Sequence, residues 1–234
     1  MKHGAILILL ILSTAAAFTQ DLPSVYDGVW KMQQQVEMAK KLSGVNPDYS
    51  NVNGTPNIFK EFHKGNFYFS DKTCIADILI NYNCYTDVVL FSDGKNNYTT
   101  NSQDIDYFTI TRGENGPILL FKQVFLSSEK KRIFMQVLYQ GESVLFKRYR
   151  KEFLKADLDK PYGSNRQRDE YNDYYEYYVS IAGKEPVILK PRKNAVVEIF
   201  NAKSDKIDDF IKNEKIDLKN EADLMKLVEH YDKI

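Results

Sequence analysis

The chain has 234 residues, with 32 basic and 32 acidic side chains, so its formal charge is zero. Such a balance argues against a general nucleic-acid binder, which shows a basic excess or a basic stripe. With 16 Tyr and 14 Phe against 11 Gly, the aromatic weight favours half-buried sheet surfaces over a helical bundle. The length suits one large domain, or one domain with a small appendage.

At the N-terminus Lys2 supplies a short positive region, and an apolar run follows from Ala5 to Leu12. That run falls well short of the roughly 20 residues needed to span a bilayer. Ala15 and Ala17 then satisfy an A-x-A-like cleavage pattern, so residues 1–17 read as a cleavable secretory signal peptide, cut after Ala17 or else after Gln20. Cleavage removes one Lys and no acid, leaving an excess of one acidic group. No Cys follows the apolar run, which excludes a bacterial lipoprotein anchor, and no later stretch reads as transmembrane. The expected mature form is soluble, periplasmic or secreted.

A helix is expected over residues 25–42, where Val29, Met32, Val36, Met38 and Leu42 form a loose apolar stripe that Gly44 and Pro47 end. Residues 45–56 are a polar loop of turn formers. Strands are expected over 66–70, 74–82, 87–92, 106–111, 117–125, 132–140, 142–153, 173–182 and 186–189, with Gly or Asp at most of the gaps. Short connections between successive strands imply an antiparallel meander. Residues 155–168 turn polar and cross the surface of the sheet. Beyond them the period changes: Ile207, Phe210 and Ile211 follow Ser204 as an N-cap, while Leu224, Leu227, Val228 and Tyr231 follow Asn220, with Asp223 as a box-like partner. These amphipathic stripes bury on the sheet by default. The expected fold is α+β: mainly an antiparallel β-sheet, curved into a barrel or sandwich, with an N-terminal helix and a helical C-terminal subdomain. Its segments are 1–17, 18–56, 57–191 and 192–234.

Cys74 and Cys84 stand ten residues apart, about 33 Å along a straight strand. Only a turn between them brings the Cα atoms within the roughly 7 Å that a disulfide needs. An exported compartment permits such a bridge, which stays open at this point. Two thiols with no nearby His do not make a zinc site. Of three histidines, His3 leaves with the signal, and His63 and His230 read as exposed polar residues. G-x-S-x-G, P-loop, H-E-x-x-H and C-x-x-C patterns are all missing, so no catalytic residue, metal or cofactor is assigned. Acid pairs such as Asp169-Glu170 and Asp208-Asp209 read as solvated faces. The oxygen-rich stretch from Asp48 to Gly54 fails as a calcium loop because Val52 occupies a ligand position.

Tyr171, Tyr174, Tyr175, Tyr177 and Tyr178 form the most unusual local feature. On a strand, Tyr175, Tyr177, Val179 and Ile181 share one face, which reads as core, and Tyr174, Glu176, Tyr178 and Ser180 share the other. Tyr174 and Tyr178, about 13 Å apart, are the candidate ligand- or partner-binding pair, able to stack on a sugar or a protein. The competing reading is that they shield a sheet face. The basic run from Lys147 to Lys151 reads as the polar edge of a long strand.

Several spaced motifs carry a resemblance. Gly54-Thr55-Pro56, Phe59, Glu61-Phe62-x-x-Gly65 and Tyr82-Asn83-x-Tyr85-x-Asp87 are followed by Lys160-Pro161-Tyr162, Asp173-Tyr174-Tyr175, Gly183-x-x-Pro186 and Phe210-Ile211-Lys212-Asn213. Together they resemble a family of uncharacterised exported proteins of Bacteroidetes-type bacteria. The resemblance implies a Gram-negative envelope location and transfers no activity. The expected function is therefore a non-enzymatic cell-envelope protein that binds a protein partner or a surface component such as a glycan, without nucleic acid and without a transmembrane anchor. The alternatives are a small-molecule carrier with a cavity in the sheet and, last, a carbohydrate-active enzyme holding one acid in an apolar setting.

Overall fold

The computed structural model describes residues 52–100, 102–113, 116–157 and 167–234. The expected signal peptide, the helix over 25–42, most of the calcium-like stretch and much of the polar crossing lie outside the described residues. The described residues form ten strands: β1 His63–Phe69, β2 Cys74–Asn83, β3 Val88–Ser92, β4 Asn97–Thr99, β5 Ile105–Thr111, β6 Ile118–Leu126, β7 Lys131–Gln140, β8 Ser143–Leu154, β9 Glu170–Ile181 and β10 Val187–Ile188. Three helices follow: α1 Lys193–Ile199, α2 Ser204–Asn213 and α3 Glu221–Lys233.

All ten strands belong to one antiparallel sheet, ordered β10-β9-β8-β7-β6-β5-β1-β2-β3-β4. The sheet is open, ending at β10 and β4, and so forms neither a closed barrel nor two packed sheets. It is nevertheless strongly curved. The rings of Tyr82 on β2 and Phe134 on β7 lie 6.1 Å apart, although β1, β5 and β6 stand between their strands. A flat sheet would hold them about 19 Å apart. Register shifts in β1 at Gly65/Phe67 and at Tyr68/Phe69, and in β7 at Val137/Tyr139, supply the bend, because a bulge adds local twist and kinks its strand.

Period-two alternation sends Phe67, Ile80, Tyr82, Phe108, Ile110 and Phe121 into the concave side. There Phe108 stacks on Phe121 at 4.8 Å and meets Phe134 edge-on at 5.0 Å, so aromatic rings fill the interior. Gly65 on β1 pairs with Ile110 on β5. A Cβ there would sit 2.0 Å from the Thr109 carbonyl oxygen and 2.9 Å from Ile80 Cδ1. Gly65→Ala is expected to destabilise the fold by about 1–3 kcal/mol or more, read as a lower urea midpoint. A midpoint equal to the parent's would show that the two strands can part at no cost.

The C-terminal helices bury their apolar stripes on the same sheet. Leu145, Tyr177 and Val179 of β8 and β9 pack with Val196, Phe200, Ile207, Leu224, Leu227 and Val228. On the opposite face of β6 to β9, Val124, Ile133, Met135, Phe146 and Tyr178 form a third cluster. Asn220 caps α3 through Oδ1, which accepts from the Asp223 N–H at 3.2 Å. Asp223 does not return the bond; its Oδ2 accepts from the Asp217 N–H at 3.1 Å and so fixes the preceding turn. Ser204 is the first residue of α2, not its cap: a 3₁₀ turn feeds the helix directly, and the cap position falls on Lys203 without a side-chain bond.

Cys74 opens β2 and Cys84 follows its last residue, with no turn between them, and the two are not joined. The disulfide weighed from the spacing is not formed, because the intervening chain runs on as one strand.

Candidate functional site

The tyrosine cluster lies on β9, which pairs with β8 over twelve residues, from Ser143↔Ile181 to Leu154↔Glu170. The inner part of this hairpin belongs to the body of the protein, and residues 177–180 are buried on both faces. Farther along, residues 172–175 are exposed, although the far end is packed again where Tyr85 meets Phe153 and Tyr171. Exposure therefore changes along the strand, whereas the sequence pattern assigned it to one face. Tyr178 lies in the third apolar cluster, with its hydroxyl donating to Glu176 Oε2 at 3.3 Å. It is no part of an open surface with Tyr174. Tyr175, on the face that reads as core, is 54% exposed, and Tyr174 is 39% exposed.

Each exposed ring carries a cation. The Arg150 guanidinium lies 5.3 Å from the Tyr174 ring centre. On the other face Lys147 Nζ lies 4.5 Å from the Tyr175 ring centre and 5.1 Å from that of Tyr149. Lys147 is held there by Glu221 at the start of α3, with Nζ 2.6 Å from Oε2. The Tyr177 hydroxyl donates to the same oxygen at 3.2 Å. Burial, reinforced by the charge of Glu221, pushes the Tyr177 hydroxyl pKa well up, so it stays a donor. The helical tail thus fixes the side chains beneath Tyr175. A cation over an aromatic face contributes about 0.5–1 kcal/mol at an exposed site.

The basic run divides between the two faces in the expected alternation, but Arg148 is not a polar edge residue. It is almost fully buried and forks onto Glu129, with Nη2 3.1 Å from Oε2, while Asp87 and Glu176 each stand 3.9 Å away. Lys131 bridges Asp87 at 2.6 Å and Glu129 at 3.3 Å, and the Tyr82 hydroxyl donates to Asp87 Oδ1 at 2.9 Å. One guanidinium therefore ties together the turn after β2, the turn between β6 and β7, and the β8–β9 hairpin. Sequence reading missed this network because Asp87 and Glu129 are remote from Arg148 along the chain, and each resembles an ordinary turn acid. The hydrogen bonds from Arg148 pull the Glu129 carboxyl down to a pKa of about 2.

His63 packs edge-on against Phe59 at 4.7 Å, and His230 stacks on Phe210 at 3.8 Å. Asp208 pairs with Lys193 and Lys212. Among the described residues, no three His, Cys, Asp or Glu side chains come together as a metal site would require, and no helix is long and apolar enough to cross a membrane. Comparisons with models of protein families, with curated proteins and with solved structures found no match.

Proposed function

We propose that this chain is an exported, non-enzymatic cell-envelope protein that binds a partner protein through the outer part of its β8–β9 hairpin. The observation that carries the reading is the pair Tyr174 and Tyr175, exposed on opposite faces of one strand and each with a cation over its ring. Aromatic side chains and Arg are the residue types in which interfaces are enriched, because they offer large, rigid contact area. The export half of the proposal rests on Lys2, the apolar run and Ala15 with Ala17, and the spaced motifs of an exported family point the same way.

Surface binding is favoured over carriage, because the concave side that would hold a small molecule is occupied by the rings of Phe67, Phe108, Phe121 and Phe134.

A photo-crosslinking amino acid at position 174 or 175, in the protein expressed in its own cells, is expected to yield a discrete protein adduct that position 118, an exposed control, does not. With the partner isolated, Tyr174→Ala and Tyr175→Ala are each expected to weaken binding about tenfold or more with the melting temperature unchanged. Equal adducts from all three positions, or none, would refute the assignment. A glycan eluting from the hairpin in place of a protein would transfer the site to a surface sugar.

A further inference from the structure

Among the described residues, the outer edge of β9 is covered at both ends and open between them. At one end the Asn53 N–H donates to the Asp169 carbonyl at 2.8 Å, and the Tyr171 N–H donates to the Asn53 carbonyl at 2.9 Å. Gly54, at φ +81°, then turns the chain away. At the other end the Leu189 N–H donates to the Tyr177 carbonyl at 2.8 Å, where β10 begins to pair with Tyr178 and Val179. Backbone groups of alternate residues in a strand point to the same side. Residues 169, 171 and 177 point outward, and β9 runs in unbroken register with β8. The N–H and C=O groups of Asp173 and Tyr175 therefore point outward too. No described residue bonds these four groups, and both residues are exposed.

We propose that this gap receives an extended peptide segment of the partner, which adds to β9 as a short strand. The inference rests on the hairpin surface being the binding site, and it adds the mode of recognition. An unpaired strand edge is a template for another strand, and strand addition draws its affinity from main-chain bonds and its specificity from side chains on alternate faces. The gap does not suit a second folded copy. A copy's β9 would continue past the gap into Asn53 at one end and Leu189 at the other, and a contact of four or five residues is far below the ~800 Å² per partner of a stable interface. A flexible segment can leave the edge at both ends. Asp173 is paired with Lys151 and Glu176 with Arg150, so the edge demands no countercharge. The incoming residues are apolar or aromatic, flanking Tyr174 on one face and Tyr175 on the other. The opposite edge of the sheet, β4, has only three residues and offers much less.

A display library of random nonapeptides, selected against the full mature chain, is the test. The expected binders alternate apolar residues and lose tenfold or more in affinity when every second residue is N-methylated, but not when the intervening ones are. Asp173→Pro removes one outward N–H at an edge position where Pro is tolerated while keeping both tyrosines, and it is expected to give the same loss. Peptides that need Tyr174 and Tyr175 yet tolerate N-methylation throughout and Asp173→Pro would overturn the added strand and leave the hairpin surface standing. Peptides indifferent to the tyrosines would overturn both. A selection without enriched binders would overturn the added strand.

Discussion

Arg148→Ala is expected to lower the unfolding free energy by about 3–5 kcal/mol, read from urea denaturation at neutral pH. Removing the guanidinium leaves Glu129, Glu176 and Asp87 around a buried void with Lys131 and Arg150 as remaining cations. A buried charge that has lost its partner keeps its desolvation penalty without the compensating attraction. The pH dependence follows from Glu129, whose carboxyl titrates at about 2 in the folded chain against an ordinary 4.5. A lowered folded-state pKa contributes stability that is fully present above the unfolded value and is lost as pH falls through the folded one. The parent is therefore expected to lose stability between pH 4.5 and pH 2, and Arg148→Ala to show a flatter acid limb over that window. A variant within 1 kcal/mol of the parent, with the same acid limb, would remove Arg148 from the framework.

Phe108→Ala is expected to cost about 3–5 kcal/mol. Phe108 is fully buried, and its ring centre lies 6.3 Å from that of Phe67, 6.1 Å from Tyr82, 4.8 Å from Phe121 and 5.0 Å from Phe134. No other element can collapse into the space, because these neighbours are held by β1, β2, β6 and β7. The loss therefore includes a cavity as well as the transfer of the ring. Phe108→Leu, which keeps most of the volume, is expected to cost markedly less. Similar unfolding midpoints for the two variants would mean that the interior relaxes freely and is not close-packed.

The strands were legible where alternation runs for five residues or more. The expected segments 74–82, 106–111, 132–140 and 142–153 differ from β2, β5, β7 and β8 by a residue at either end. Two elements were missed. β4 spans three residues among turn formers, too short for a period to register, and α1 is only two turns long. Curvature was not legible, since a bulge such as that between Gly65 and Phe67 exists only relative to a partner strand. The candidate site was legible as a tyrosine-rich strand with correct facing: Tyr175 and Tyr177 stand beside Tyr149 and Lys147, and Tyr174 and Tyr178 beside Arg150 and Phe146. Which of those tyrosines meets solvent was not, because that depends on what packs against each part of the hairpin. The N-terminal assignments concern residues outside those described and are tested by N-terminal sequencing of the protein purified from its own cells.

The order of the strands also sets how the sheet assembles. From β5 to β10 every neighbour in the sheet is also the neighbour in the chain, and the same holds from β1 to β4. Each of those joins closes a modest loop. The exception is β1 against β5, where Phe67 meets Phe108 across about 40 residues of chain and the entropy of closure is greater. Local joins are expected to form early and remote ones late, so two ribbons formed separately are expected to join along this single line. The rings that fill the interior lie on both sides of it. The ribbon from β5 onward holds the helical cluster and the third cluster within itself, but the aromatic interior is shared and is complete only when the seam shuts.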